Sequence, residues 1–137
     1  MGRILAIDYG KKRTGIAVTD PLQIIATALD VIESPKLLGF LRAYFHKEPV
    51  DEIVIGLPKT LQNEEAEMAG LVRALAEQIK KTFPDKPVHF LDERFTSKIA
   101  LQTMIDGGMK KKDRQVKGNA DKISATLILQ DFLSSKR

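Results

Sequence analysis

Three carboxylates occupy positions where a packed chain has little structural use for an acid: Asp8, Glu93 and Asp121. Asp8 ends the apolar run Ile4-Leu5-Ala6-Ile7, and a charge beside a sheet core is costly unless it is paired or bound to metal. Glu93 follows the strand-like run Val88-His89-Phe90-Leu91-Asp92. Asp121 has Ala125, Ile128 and Phe132 at i+4, i+7 and i+11, which puts it in line with an apolar helical stripe rather than a solvated face. Each has an ordinary explanation too: a turn-initiating Asp before Gly10, an exposed ion pair of Glu93 with Arg94, a first-turn Asp favoured by the helix dipole. Together the three suggest one site. Clustered carboxylates without thiolate or imidazole select hard cations, chiefly Mg²⁺ or Mn²⁺, and need them to stay ionised. Two such ions ~4 Å apart are suited to phosphodiester cleavage.

The charge distribution points to a polyanionic substrate. The chain carries a net charge of +4 over 137 residues. From Arg94 to Lys122, eight basic residues (Arg94, Lys98, Lys110, Lys111, Lys112, Arg114, Lys117, Lys122) stand against three acids, a net of +5. The rest of the chain therefore sums to −1. Lys11-Lys12-Arg13 forms a second basic cluster just after Asp8. Such residues hold phosphates by charge and do not read bases. Arg94, Lys98, Lys110, Lys111, Lys112, Arg114, Lys117, Lys11, Lys12 and Arg13 are the expected backbone contacts. A solvated lysine-rich loop is the ordinary alternative for the longer run.

Several chemistries are excluded or unsupported. The chain has no cysteine and only two histidines, His46 and His89, so disulfides, thiolate metal sites and a cysteine nucleophile are ruled out. Gly10 to Gly15 has P-loop spacing, but Ile16-Ala17 replaces the required Lys-Ser/Thr and a strand follows. Ser124, Ser134 and Ser135 have no evident His-Asp partners for serine hydrolysis. Aromatic residues make up 6%, without tryptophan, which argues against a base-stacking platform. Neither a signal-peptide core nor an apolar run of membrane-spanning length is present. A cytoplasmic protein with no membrane contact is expected.

The elements that must position these residues can be read from periodicity. Arg3 to Asp8 and Ile16 to Asp20 read as a β-hairpin, and Ala26 to Ile32 as a third strand. Ser34-Pro35 supplies an N-cap and a first-turn proline to a helix marked by Leu37, Leu38, Leu41, Tyr44 and Phe45. Asp51 to Leu57 is a buried strand around Ile53-Val54-Ile55. A second helix runs from Glu64 to about Phe83, its stripe marked by Met68, Leu71, Val72, Leu75 and Ile79. Pro87 to Leu91 is a strand, with His89 facing the core or an edge. Thr96 or Ser97 caps a helix that the glycine pair Gly107-Gly108 stops. A basic loop from Met109 to Gly118 precedes a last helix, capped by Asn119 and reaching about Leu133. The expected fold is a single α/β domain over 1–137. Its mixed five-stranded sheet combines an antiparallel hairpin with parallel strands and is flanked by helices.

Four blocks also resemble, in order, the signatures of the YqgF (RuvX) family. They are Ile7-Asp8-Tyr9-Gly10-Lys11-Lys12-Arg13-Thr14-Gly15-Ile16-Ala17-Val18-Thr19-Asp20, Val54-Ile55-Gly56-Leu57-Pro58, Leu91-Asp92-Glu93-Arg94-Phe95-Thr96-Ser97 and Asp121-Lys122-Ile123-Ser124-Ala125-Thr126-Leu127-Ile128-Leu129. Ser124 stands where that family often has alanine. The resemblance implies an RNase H-like fold shared with RuvC-type Holliday junction resolvases. It also implies Asp8, Glu93 and Asp121 as metal-binding catalytic acids, with Asp92 as the adjacent alternative to Glu93. It further implies a nuclease of the bacterial cytoplasm that trims the 5′ end of pre-16S ribosomal RNA. The alternatives are action on four-way DNA junctions or a non-catalytic nucleic-acid-binding module. Either a monomer or a homodimer is compatible with these readings.

Overall fold

The computed structural model describes residues 2–57, 63–92 and 119–136. Its strands are β1 (Arg3–Tyr9), β2 (Arg13–Thr19), β3 (Ala26–Glu33), β4 (Val50–Leu57) and β5 (Val88–Asp92). Its helices are α1 (Leu37–Lys47), α2 (Asn63–Thr82) and α3 (Asn119–Lys136), with a single 3₁₀ turn, Ser34–Lys36, before α1. The strands form one sheet in the order β3-β2-β1-β4-β5. The first three pair antiparallel, while β4 runs parallel to both β1 and β5. This is the mixed α/β sheet anticipated from the sequence.

Burial explains the sequence patterns. In β1, Ile4 to Ile7 are fully buried, as are Ile53, Val54 and Ile55 in β4. These central strands are covered on both faces, so they read as unbroken apolar runs. β3 lies at the edge, where half of its residues are exposed and none is buried. It is blunted there: the register slips past Leu29, and the Asp30 carboxylate accepts a 2.7 Å hydrogen bond from the Val31 amide, features that discourage pairing with another strand.

The two faces of the sheet are packed by different helices. Leu5, Ile7, Ile16, Val18, Ile53 and Ile55 face α1 and α2, which contribute Leu37, Leu41, Val72, Leu75 and Ile79. Ile4, Ala6, Ala17 and Val54 face α3, which contributes Ala125, Ile128, Leu129, Phe132 and Leu133.

Three expectations are corrected. Ser34 does not cap α1: it opens a 3₁₀ turn that precedes the helix, and its hydroxyl reaches Thr14 and the Gly10 carbonyl instead. Leu71 is not part of the buried stripe of α2 but is 39% exposed, and Ala69 and Ala76 are buried in its place. Small residues let the helix sit close to the sheet, which turns the stripe toward them. The last helix continues three residues past Leu133, to Lys136. The helix expected from Thr96 or Ser97 to Gly107, and the basic loop from Met109 to Gly118, lie outside the described residues.

Candidate active site

β1, β4 and β5 are parallel and end together at Tyr9, Leu57 and Asp92. Ligands of α/β sheets gather beyond such carboxyl ends. Asp8 lies at this rim, half-buried. Pleat alternation puts it on the same face as Ile4 and Ala6, the face covered by α3. Its partner in β2 is Gly15. On the other side it lies one residue past the Ile7–Ile55 pair, level with Gly56, which in turn pairs with Leu91. Both strand neighbours of Asp8 are therefore glycines, and neither adds a side chain beside the carboxylate.

The direction of α3 follows from its far end. The Phe132 ring lies 5.3 Å from the His89 ring, and the Lys136 ammonium meets the Glu52 carboxylate. His89 and Glu52 sit near the starts of β5 and β4. The helix consequently runs antiparallel to these strands, and its first turn, Asn119 to Lys122, comes to the rim where Asp8 lies. Asp121 belongs to that turn, one helical turn before the buried Ala125. The amino end of a helix carries partial positive charge, which suits an anionic site. His89 is resolved as an edge residue, with 40% side-chain exposure and an Nε2 contact of 3.1 Å to Glu52.

The β1–β2 turn at this rim is held from below by a small polar network. Thr14 and Ser34 are buried, with their hydroxyl oxygens 2.8 Å apart. The Ser34 hydroxyl also donates to the Gly10 carbonyl, and its amide donates to the Lys12 carbonyl at 2.9 Å. A Cβ at position 10 would stand 2.5 Å from the Arg13 carbonyl oxygen, so only glycine fits the turn. Lys11 and Lys12 are exposed and Arg13 is half-buried at the start of β2. Lys11 is ion-paired with Glu67 of α2, Nζ to Oε1 3.1 Å. This pairing joins residues far apart in sequence and gave no signal there.

The structure thus brings Asp8, Lys11, Lys12 and Arg13 and the backbone of Asp92 and Asp121 to one end of the sheet. Glu93, Arg94, Lys98, Lys110, Lys111, Lys112, Arg114 and Lys117 lie outside the described residues. Among the described residues, no three histidine or carboxylate side chains stand together as a metal-binding group. Asp8 is the one proposed acid whose side chain is described. An all-oxygen donor at a strand end, flanked by glycines, fits a hard divalent cation in its chemistry. Also among the described residues, no helix is long and apolar enough to cross a membrane.

The chain is similar to known proteins along its whole length. The model of the family described as "RuvX: Holliday junction resolvase" matches residues 2–135. A protein of Phocaeicola vulgatus named "Putative pre-16S rRNA nuclease" is 56% identical over 137 residues, covering 100% of this chain and 99% of its own. Counterparts of the same name in Bacteroides thetaiotaomicron and Flavobacterium johnsoniae are each 53% identical, with the same coverage. Among solved structures, T. thermophilus RuvC in complex with a Holliday junction substrate matches with a TM-score of 0.59 at 16% identity. The match covers 99% of this chain and 96% of that one. A second Thermus thermophilus RuvC structure matches with a TM-score of 0.51 at 15% identity, covering 98% and 96%. At such identities the likeness is one of fold, and the fold is RNase H-like.

Proposed function

The chain belongs to the RuvX family, and on that premise we propose that it is a divalent-metal-dependent nuclease that processes the 5′ end of pre-16S ribosomal RNA in the cytoplasm. The observation that carries the site is the convergence of Asp8 and the first turn of α3 at the carboxyl end of β1, β4 and β5. The substrate is carried by the name shared by relatives more than half identical to this chain along its full length.

Asp8, Glu93 and Asp121 would hold Mg²⁺ or Mn²⁺. The cation supplies Lewis-acid stabilisation of the charge that builds on the phosphate during cleavage. Asp8 has the central place because β1 lies between β2 and β4. Leu91 of β5 packs on the α3 side of the sheet, and the second acid, Glu93 or its neighbour Asp92, follows it in the sequence. Asp121 enters from the first turn of α3. Lys12, Arg13, Arg94, Lys98 and the basic residues Lys110, Lys111, Lys112, Arg114 and Lys117 neutralise the nucleic-acid backbone, which fixes the scissile bond's position without reading bases.

A second reading has its own support: the family description names Holliday junction resolution, and the fold is that of RuvC. Paired cuts across a junction require two active sites, so this reading expects a homodimer, whereas leader trimming needs only a monomer. One preparation should be given a pre-16S leader and a synthetic four-way junction. Faster turnover of the leader supports RNA processing; faster symmetric nicking of the junction reverses the assignment.

A further inference from the structure

Two adjacent lysines on the β1–β2 turn have unequal surroundings. Lys11 is paired to Glu67 at 3.1 Å, while Lys12 is exposed and has no ion pair among the described residues. We infer that Glu67 withholds Lys11 from nucleic-acid phosphate, so that Lys12 alone of the two supplies backbone contact from this turn. The inference rests on the nucleic-acid reading above and adds a residue that limits affinity at that site.

Both ends of the Lys11–Glu67 pair are anchored at their backbones. The turn is fixed by the Ser34 hydrogen bonds to Gly10 and Lys12 and by the close approach at Gly10. Glu67 is fixed because Ala69 and Val72, just after it on α2, are buried against the sheet. The charged groups themselves remain about half exposed, at 53% and 59%, so the pair adds little to stability. Its effect on binding is different in kind. A phosphate approaching Lys11 meets a charge already neutralised, with a carboxylate beside it that repels the phosphate. Each phosphate neutralised by a basic residue contributes to binding through counterion release, and Lys11 contributes none while Glu67 holds it. Affinity for nucleic acid is lowered as a result, to a similar extent whatever the sequence, because a phosphate contact does not read bases.

The test is equilibrium binding of a short single-stranded RNA and a DNA duplex of arbitrary sequence. It is run without divalent cation across a series of monovalent salt concentrations, on the full chain and on Lys11→Ala, Lys12→Ala, Glu67→Gln and Glu67→Gln/Lys11→Ala. Lys12→Ala should weaken binding and flatten the salt slope by about 0.7 on RNA and 0.9 on duplex, while Lys11→Ala changes neither. Glu67→Gln should tighten binding about two- to fivefold and steepen the slope by a similar increment, and the double substitution should return both to the parent values. The inference is overturned if Lys11→Ala weakens binding as much as Lys12→Ala, or if Glu67→Gln leaves affinity and slope unchanged. If the parent protein binds neither nucleic acid at any salt concentration, the nucleic-acid reading falls and takes the inference with it. Thermal unfolding of each variant confirms that the differences arise in the folded state.

Discussion

The two faces of the sheet are both dry, yet the strand residues that build them differ in size. The face toward α1 and α2 is filled with Leu5, Ile7, Ile16, Ile53 and Ile55, interlocked with Leu37, Leu41 and Ile79. The face toward α3 contains Ala6, Ala17 and Ala125 beside Ile4, Val54 and Ile128. Large residues fill space between layers; small ones let the layers approach. On the α1 and α2 side the small residues, Ala69 and Ala76, belong to α2, and the strand residues are large. On the α3 side the strands themselves carry alanine, along the row that ends in Asp8 and beside the helix whose first turn reaches that strand end. The face whose strands carry alanine is the one on which Asp8 lies.

This contrast can be broken by substitution, and the largest effect belongs to Asp8. Asp8→Asn should reduce cleavage of a pre-16S leader by ~10²-fold or more with little change in the unfolding midpoint. On the opposite face, Leu41→Ala should cost about 2–5 kcal/mol of stability, read by urea denaturation, while the activity of the folded fraction stays at the parent level. Ala125→Leu overpacks the α3 side and should cost about 1–3 kcal/mol. Unlike Leu41→Ala, it should also lower activity in the folded fraction, because it moves the helix that carries Asp121. Equal activity in the two folded variants would abolish the distinction between the faces.

Ser34→Ala sharpens the comparison at the rim. It leaves the fully buried Thr14 hydroxyl without its Ser34 partner and releases the Gly10 carbonyl. The expected cost is about 1–3 kcal/mol, with faster amide exchange in the Gly10–Lys12 turn than in α2.

The smallest effect lies at the opposite end of the sheet. The Asp20 carboxylate accepts hydrogen bonds from the amides of Ile25, Ile24 and Leu22, and these bonds hold it below its ordinary value of 3.8. A lowered folded pKa contributes stability that is present above the unfolded value and is lost as pH falls through the folded one. The Ile24 and Ile25 amide resonances should therefore titrate with a midpoint below 3.8. Movement near pH 6 would contradict the assignment of these hydrogen bonds.

Much of this was legible in the sequence because burial leaves a pattern. Ile4 to Ile7 and Ile53 to Ile55 announce central strands by being apolar without interruption. Asp8 stands out because it breaks one of those runs. Asp121 could be placed near a helix start because Ala125, Ile128 and Phe132 repeat at helical spacing. What could not be read involves pairs distant along the chain. Ser34 looks like a helix cap locally, but its hydroxyl is drawn to Thr14 and Gly10 by the pairing of β3 with β2. Leu71 fits a helical stripe as well as Ala69 does, and only the sheet's surface decides between them. Lys11 and Glu67 carry no mark of each other, since a charge pattern along a sequence does not say which opposite charge the fold brings near.

The most direct test measures leader cleavage in Mg²⁺ by the Asp8→Asn and Leu41→Ala proteins side by side, each normalised to its folded fraction by circular dichroism. The account predicts a stable but inactive Asp8→Asn protein and a destabilised but active Leu41→Ala protein. Full Mg²⁺-dependent cleavage by a folded Asp8→Asn protein would contradict it.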